Sequence, residues 1–212
     1  MNRPDPTSEQ QMLTLQQALD LGLQNYTAGD LSKAEDIYQQ ILQTDPNHPD
    51  ALHLLGVISH QKGKNDRAVD LITKAVTLKS DFAEAHSNLG NVLQEIGQLD
   101  EAVASCRKAL TIKPEFVGAN YNLGLVLQGL EQFDEAVTSY QKVISIEPGY
   151  TEAHNNLGIV FHELGRLKEA VASYYKALDI KPDYAEANYN LGDAFKELEQ
   201  LDEAVASYRK AI

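Results

Sequence analysis

Residues 83–116 read AEAHSNLGNVLQEIGQLDEAVASCRKALTIKPEF, and residues 151–184 read TEAHNNLGIVFHELGRLKEAVASYYKALDIKPDY. The two segments are identical at 21 of 34 positions. Their Leu-Gly pair recurs along the chain as Leu21-Gly22, Leu55-Gly56, Leu89-Gly90, Leu123-Gly124, Leu157-Gly158 and Leu191-Gly192, always 34 residues after the last. A fixed period of this length marks an array of supersecondary units, each burying its apolar face on its neighbours. An N-terminal segment, 1–14, leads into repeats at 15–48, 49–82, 83–116, 117–150, 151–184 and an incomplete 185–212.

Within each repeat, apolar or small residues fall at positions 4, 7, 8 and 11 and again at 17, 20, 24 and 27. That is helical spacing twice over, so each repeat is predicted to be a helical hairpin, with a first helix A and a second helix B. Gly at position 8 and Ala at position 20 (Ala34, Ala68, Ala102, Ala136, Ala170, Ala204) remove side-chain bulk where the two helices meet. Gly29, Gly63, Gly97 and Gly165 at position 15 suit a left-handed residue closing helix A, while Glu131 and Glu199 depart from that choice. Asp66, Asp100, Asp134 and Asp202 are placed to cap helix B, and Pro46, Pro114, Pro148 and Pro182 to end it. Asp81 with Glu84, Asp183 with Glu186 and Ser8 with Gln11 read as capping boxes, the last opening a helix over Leu13 to Tyr26.

Leu-Gly at 7 and 8, Gly at 15, Ala at 20, Tyr at 24, Ala at 27 and Pro at 32 together resemble the tetratricopeptide repeat family. The resemblance covers residues 15–212. It implies an all-α, right-handed superhelical solenoid of antiparallel helix pairs, six hairpins long, whose helices A line a concave groove that binds peptides or proteins. Local departures are Asn65 at position 17, Ile72 and Cys106 in place of Tyr at 24, and Ser80 in place of Pro at 32.

Composition narrows the function. The 212 residues carry 18 Lys and Arg against 31 Asp and Glu, a net charge of −13 that repels a phosphate backbone and argues against a nucleic-acid partner. The single cysteine, Cys106, has no partner for an internal disulfide, and no Cys or His spacing resembles a zinc site. Neither a signal peptide nor a membrane-length apolar run is present, so the expected setting is cytoplasmic with no membrane partner. No phosphate loop or nucleophile constellation is found, which predicts a non-catalytic chain without cofactor or metal.

On a helical wheel, positions 2, 6, 9 and 13 of helix A face away from the buried stripe. Position 6 is Asp20 and Leu54 in the first two repeats, then Asn88, Asn122, Asn156 and Asn190. Asparagine inside a helix costs roughly 0.7 kcal/mol relative to alanine, so something should offset it. A carboxamide grips a peptide group's C=O and N–H together without reading the side chain. Neighbouring helices lie about 8–10 Å apart, close to three residues of extended chain at about 3.3 Å each. The ladder is therefore a candidate grip on an extended peptide. The alternative is that the amides satisfy a neighbouring helix end or merely avoid an exposed apolar residue.

Glu84, Glu152 and Glu186 at position 2, Asn91 and Asp193 at position 9, and Glu95, Glu163 and Glu197 at position 13 surround the ladder. The expected groove is acidic, favouring a neutral to basic peptide. Tyr121 and Tyr189 at position 5 either flank the bound chain or pack between helices. Tyr38, Tyr140, Tyr174 and Tyr208 at position 24 are expected in the core. The asparagines also resemble those of the repeat arm of O-linked N-acetylglucosamine transferases and SPINDLY-type relatives. By that resemblance Asn88, Asn122, Asn156 and Asn190 grip substrate backbone ahead of a transferase or sulfotransferase domain. Residues 211–212 stop inside the predicted last helix B, leaving Leu191, Ala204 and Tyr208 at an expected open edge suited to self-association.

Overall fold

The computed structural model describes residues 14–212, so the Ser8–Gln11 box and the expected helix start at Leu13 lie outside the described residues. These residues form twelve helices and no strand. They pair as α1 (Leu15–Thr27) with α2 (Leu31–Thr44), α3 (Pro49–Gln61) with α4 (Asn65–Leu78), and α5 (Ala83–Glu95) with α6 (Leu99–Ile112). The remaining pairs are α7 (Val117–Gly129) with α8 (Phe133–Ile146), α9 (Thr151–Glu163) with α10 (Leu167–Ile180), and α11 (Ala185–Glu197) with α12 (Leu201–Lys210). The six hairpins divide into two compact units, Met1–Ser80 and Asp81–Ile212. The division falls at Ser80, the one B helix of the first five hairpins not followed by proline.

Each hairpin closes on the same contact. A Cβ built on the position-8 glycine would lie 2.6 Å from the ring of Tyr38 at Gly22, 2.6 Å from Tyr140 at Gly124 and 2.5 Å from Tyr174 at Gly158. Where position 24 is not tyrosine, Cγ1 of Ile72 and Sγ of Cys106 come within 2.5 Å of the corresponding point on Gly56 and Gly90. Only glycine lets the helices approach this closely. Tyr38, Ile72, Cys106 and Tyr140 are fully buried, and Tyr208 of the last hairpin is half-buried. Burial alone pushes the Cys106 thiol up to about 12, so it stays protonated and packs as a small apolar group.

The turn after helix A is left-handed in every hairpin. Gly29, Gly63, Gly97 and Gly165 have φ of 70–81°, and Glu131 and Glu199 adopt 58° and 60°. The hairpin geometry thus imposes that conformation even on a residue with a Cβ.

The capping expectations need correction. Phe82 and Tyr184 are the N-cap residues of α5 and α11 and make no side-chain cap bond, which leaves Asp81 and Asp183 one residue too early. Asp66, Asp100, Asp134 and Asp202 lie inside the first turn of helix B, after the N-caps Lys64, Gln98, Gln132 and Gln200. Negative charge there interacts favourably with the helix dipole. The side-chain caps that do form are the Thr14–Gln17 capping box on α1, Asp30 on α2 and His48 on α3.

The expected open edge is also redrawn. Leu191 and Ala204 are each only 3% exposed, because positions 7 and 20 are covered within the hairpin and by the hairpin before it. Tyr208 is partly uncovered as expected, and greater exposure falls on Tyr189, Leu201 and Val205, at 55%, 64% and 47%. Position 21 shows the cause: Val103 and Val137 are 9% and 8% exposed where another hairpin follows in the same unit.

Candidate functional site

Within the second unit, α5 touches α7 and α9 touches α11, so the A helices form their own row. The ladder asparagines sit along this row and are half-buried, more covered than an outward-facing position suggests. The reason is a hydrogen bond repeated at a spacing of one hairpin plus one residue. Asn122 Nδ2 donates to the Ser87 carbonyl and Oγ, both at 3.3 Å, and Asn156 Nδ2 donates to the Tyr121 hydroxyl at 3.0 Å. Asn190 Nδ2 donates to Asn155 Oδ1 at 3.1 Å.

Position 6 of hairpins four, five and six therefore reaches position 5 of the one before. One N–H of each of these three amides is thus spent between helices, on position 5 of a neighbouring helix and not on a helix end. The position-5 partners Ser87 and Asn155 were not singled out by the wheel, which treats each helix alone. The signal was present in the sequence as polar residues recurring 35 apart.

Glu84, Glu152 and Glu186 are exposed, as are Glu95, Glu163 and Glu197, while Asn91 and Asp193 are half-buried. Lys113 lies 3.6 Å from Glu84, and His162 Nε2 lies 3.3 Å from Glu197. Asp193 accepts from the Tyr208 hydroxyl at 2.7 Å, and that bond pushes the phenol up to about 12. Ile159, His162, Glu163, Tyr174, Asn190 and Asp193 line a cavity of about 180 Å³ beside the ladder.

Tyr121 and Tyr189 differ in burial. Tyr121 is half-buried, with ring centroids 6.0 Å from Tyr140 and 5.0 Å from Tyr150, and burial followed by the nearby Tyr150 raises its hydroxyl to about 12. Tyr189 is exposed, its ring 5.7 Å from Tyr208. Asn155 is fully buried and donates to Glu186 Oε1 at 3.0 Å, while the Tyr184 hydroxyl donates to Glu186 Oε2 at 3.2 Å. The Glu186 carboxylate is thereby held in one orientation. Among the described residues, no group of three or more His, Cys, Asp or Glu side chains could hold a metal ion. Among them, too, no helix is long and apolar enough to cross a membrane.

Repeated hairpins, glycine-on-ring closures and a left-handed turn in each define a tetratricopeptide architecture, and comparison with known proteins agrees. Models described as tetratricopeptide repeat match residues 26–87, 83–116 and 185–212, and a model described as TPR repeat matches 129–165 and 160–198. The chain belongs to the tetratricopeptide repeat family. A crystal structure of MamA is 30% identical, with a TM-score of 0.69 over 81% of this chain and 94% of that one. PilF of Pseudomonas aeruginosa has a TM-score of 0.80 at 21% identity, over 91% of this chain and 88% of that one. YrrB, described as a TPR protein with an unusual peptide-binding site, has a TM-score of 0.69 at 22% identity, over 82% of this chain and 90% of that one. At those identities PilF and YrrB speak for the fold alone. No curated protein matches the sequence.

Proposed function

We propose that the chain is a binding scaffold that holds an extended peptide segment of a partner protein along the A helices of hairpins three to six. The ladder carries this reading: three amides in register, one per hairpin, each pinned by an Nδ2 donation to the hairpin before, with Asn156 Oδ1 also accepting from Asn155 Nδ2 at 3.5 Å. A pinned amide loses little rotamer freedom on binding, which lowers the entropic cost of gripping a peptide group. Asn88, Glu84, Glu152, Glu186, Asn91, Asp193, Tyr121 and Tyr189 complete the proposed surface, whose acidity favours neutral to basic segments. The peptide-binding description of YrrB fits the same use. A narrower version, in which the repeats recruit substrates for a transferase domain on the same polypeptide, rests on the asparagine resemblance alone.

The test replaces Asn122 and Asn156 together by alanine and measures binding of extended peptides by fluorescence anisotropy. Two lost hydrogen bonds should weaken binding by roughly tenfold or more. Unchanged affinity would make the ladder a purely structural device.

A further inference from the structure

A second recurring pattern runs beside the ladder, at positions 2, 31 and 34. In hairpin two, Lys79 at position 31 lies 3.4 Å from Asp50 at position 2. In hairpin three, Lys113 lies 3.6 Å from Glu84, and its ammonium stands 4.9 Å from the centre of the Phe116 ring at position 34. An acid and an aromatic face thus share one internal lysine. This is a cation site that the chain fills from its own sequence.

The pattern then breaks. In hairpin four, position 31 is Glu147, so the sequence offers a carboxylate and no ammonium beside Tyr150 at position 34. In hairpin five, Lys181 keeps only the ring, 5.3 Å from the centre of Tyr184. Among the described residues, no Lys, Arg or His nitrogen comes within 4.0 Å of the Glu152 or Glu186 carboxylate. Burial raises the hydroxyls of Tyr121 and Tyr184 most, and the charges of both carboxylates add to it on each phenol. Glu186 is fixed by Asn155 and Tyr184; Asn155 also donates to Asn156, and Asn156 donates to Tyr121, whose ring pairs with Tyr150 at 5.0 Å.

We infer that Tyr121, Tyr150, Glu152 and Glu186 form a subsite for a lysine or arginine side chain of the bound peptide, which supplies the cation that Lys113 provides in hairpin three. The inference rests on the proposed function, because the subsite adjoins Asn156 and would read one residue of the chain the ladder holds. Aromatic faces and a carboxylate oriented in advance favour a cation over a neutral group of equal size. Ammonium and guanidinium share this chemistry. A fork that stacks on the rings and pairs with both carboxylate oxygens would favour arginine, and a compact charge would favour lysine.

The experiment uses fluorescein-labelled Ser/Ala peptides of about nine residues, long enough at about 3.3 Å per residue to cross three hairpins. The central residue is Lys, Arg, Gln or Glu. Anisotropy is read on the native chain, on Glu152→Gln with Glu186→Gln, and on the Asn122→Ala with Asn156→Ala variant. Glutamine keeps an oxygen that accepts from Asn155, its amide nitrogen can donate to the Tyr184 hydroxyl, and unchanged far-UV circular dichroism confirms folding.

The native chain should bind the Lys or Arg peptide about tenfold more tightly than the Gln peptide, with the Glu peptide weakest. The glutamine variant should lose that preference. Whichever cation binds better identifies the head group read. Peptides that bind through the ladder with no central-residue preference would overturn this inference and leave the proposed function standing. A preference that survives in the glutamine variant would overturn it too, and no binding by any peptide would overturn both.

Discussion

In the first unit the two hairpins are clamped by charge, whereas the four hairpins of the second are pinned by amides. Glu35 of α2 is 13% exposed at its side chain and accepts from Lys62 at 2.5 Å and Arg67 at 2.9 Å, both from the second hairpin. At positions 5 and 6 the same unit carries Leu19 and Leu54, each packed against its core. In the second unit those positions hold the directional bonds from Asn122 to Ser87, Asn156 to Tyr121 and Asn190 to Asn155. Among its inter-hairpin ion pairs, Arg107 with Glu135 and Lys142 with Glu115 have side chains 42–76% exposed, where solvent screens most of the attraction. One backbone frame therefore tolerates either seam. An apolar contact merely excludes water, whereas each amide bond also fixes a direction.

The largest effect should come from the clamp. Glu35→Gln removes the anion between Lys62 and Arg67 and should cost about 1–3 kcal/mol. Hydrogen exchange should quicken across α2 to α4 and leave α7 to α9 unchanged. The hydrogen bond from Lys62, reinforced by that from Arg67, holds the Glu35 carboxyl below its ordinary value of 4.5. A depressed carboxylate stabilises the folded state above its unfolded pKa, and that contribution is lost as pH falls through the folded value. Acidifying the native chain below about pH 4.5 should thus reproduce the variant, by loosening the first unit before the second. Equal acid sensitivity in both units would erase the distinction.

A smaller effect is expected at the amide seam. Asn156→Ala should cost about 1 kcal/mol, seen as faster exchange in α7 and α9, with no dependence on salt or on pH between about 5 and 8. Salt dependence matching that of Glu35→Gln would mean that charge, and not the amide, holds this seam.

The smallest effect contrasts the turns. Both A helices of the first unit end in a left-handed glycine, while the second unit uses glutamate at two of its four turns. Glu131→Gly relieves about 1 kcal/mol of left-handed strain and returns about 0.5–1 kcal/mol in chain entropy. Thermal melts should therefore rise by little or not at all. A marked loss would show that the Glu131 side chain contributes something beyond the turn.

Hairpin number, the glycine-on-ring closure and the left-handed turns were legible in the amino-acid order, because each depends on residues close in sequence or repeated at a fixed period. Helix caps were read less well. Asp81, Asp183 and the helix-B aspartates stand one or two residues from the observed N-cap, and the repeat period does not fix that phase. For the proposed site, the wheel named the asparagines and the acidic residues of the A-helix row. It missed Ser87, Asn155, Tyr150 and Tyr184, which join the surface only through neighbouring hairpins.

The sequence by itself determined a tetratricopeptide array, since a 34-residue period with small residues at positions 8 and 20 admits close helix pairing and little else. Tertiary structure alone decided that Asn122, Asn156 and Asn190 are half-spent on the hairpin before them. It also decided that Glu186 is held by Asn155 and Tyr184, 31 and 2 residues earlier. Such bonds depend on the offset between stacked helices, and that offset is set by packing across the hairpin boundary.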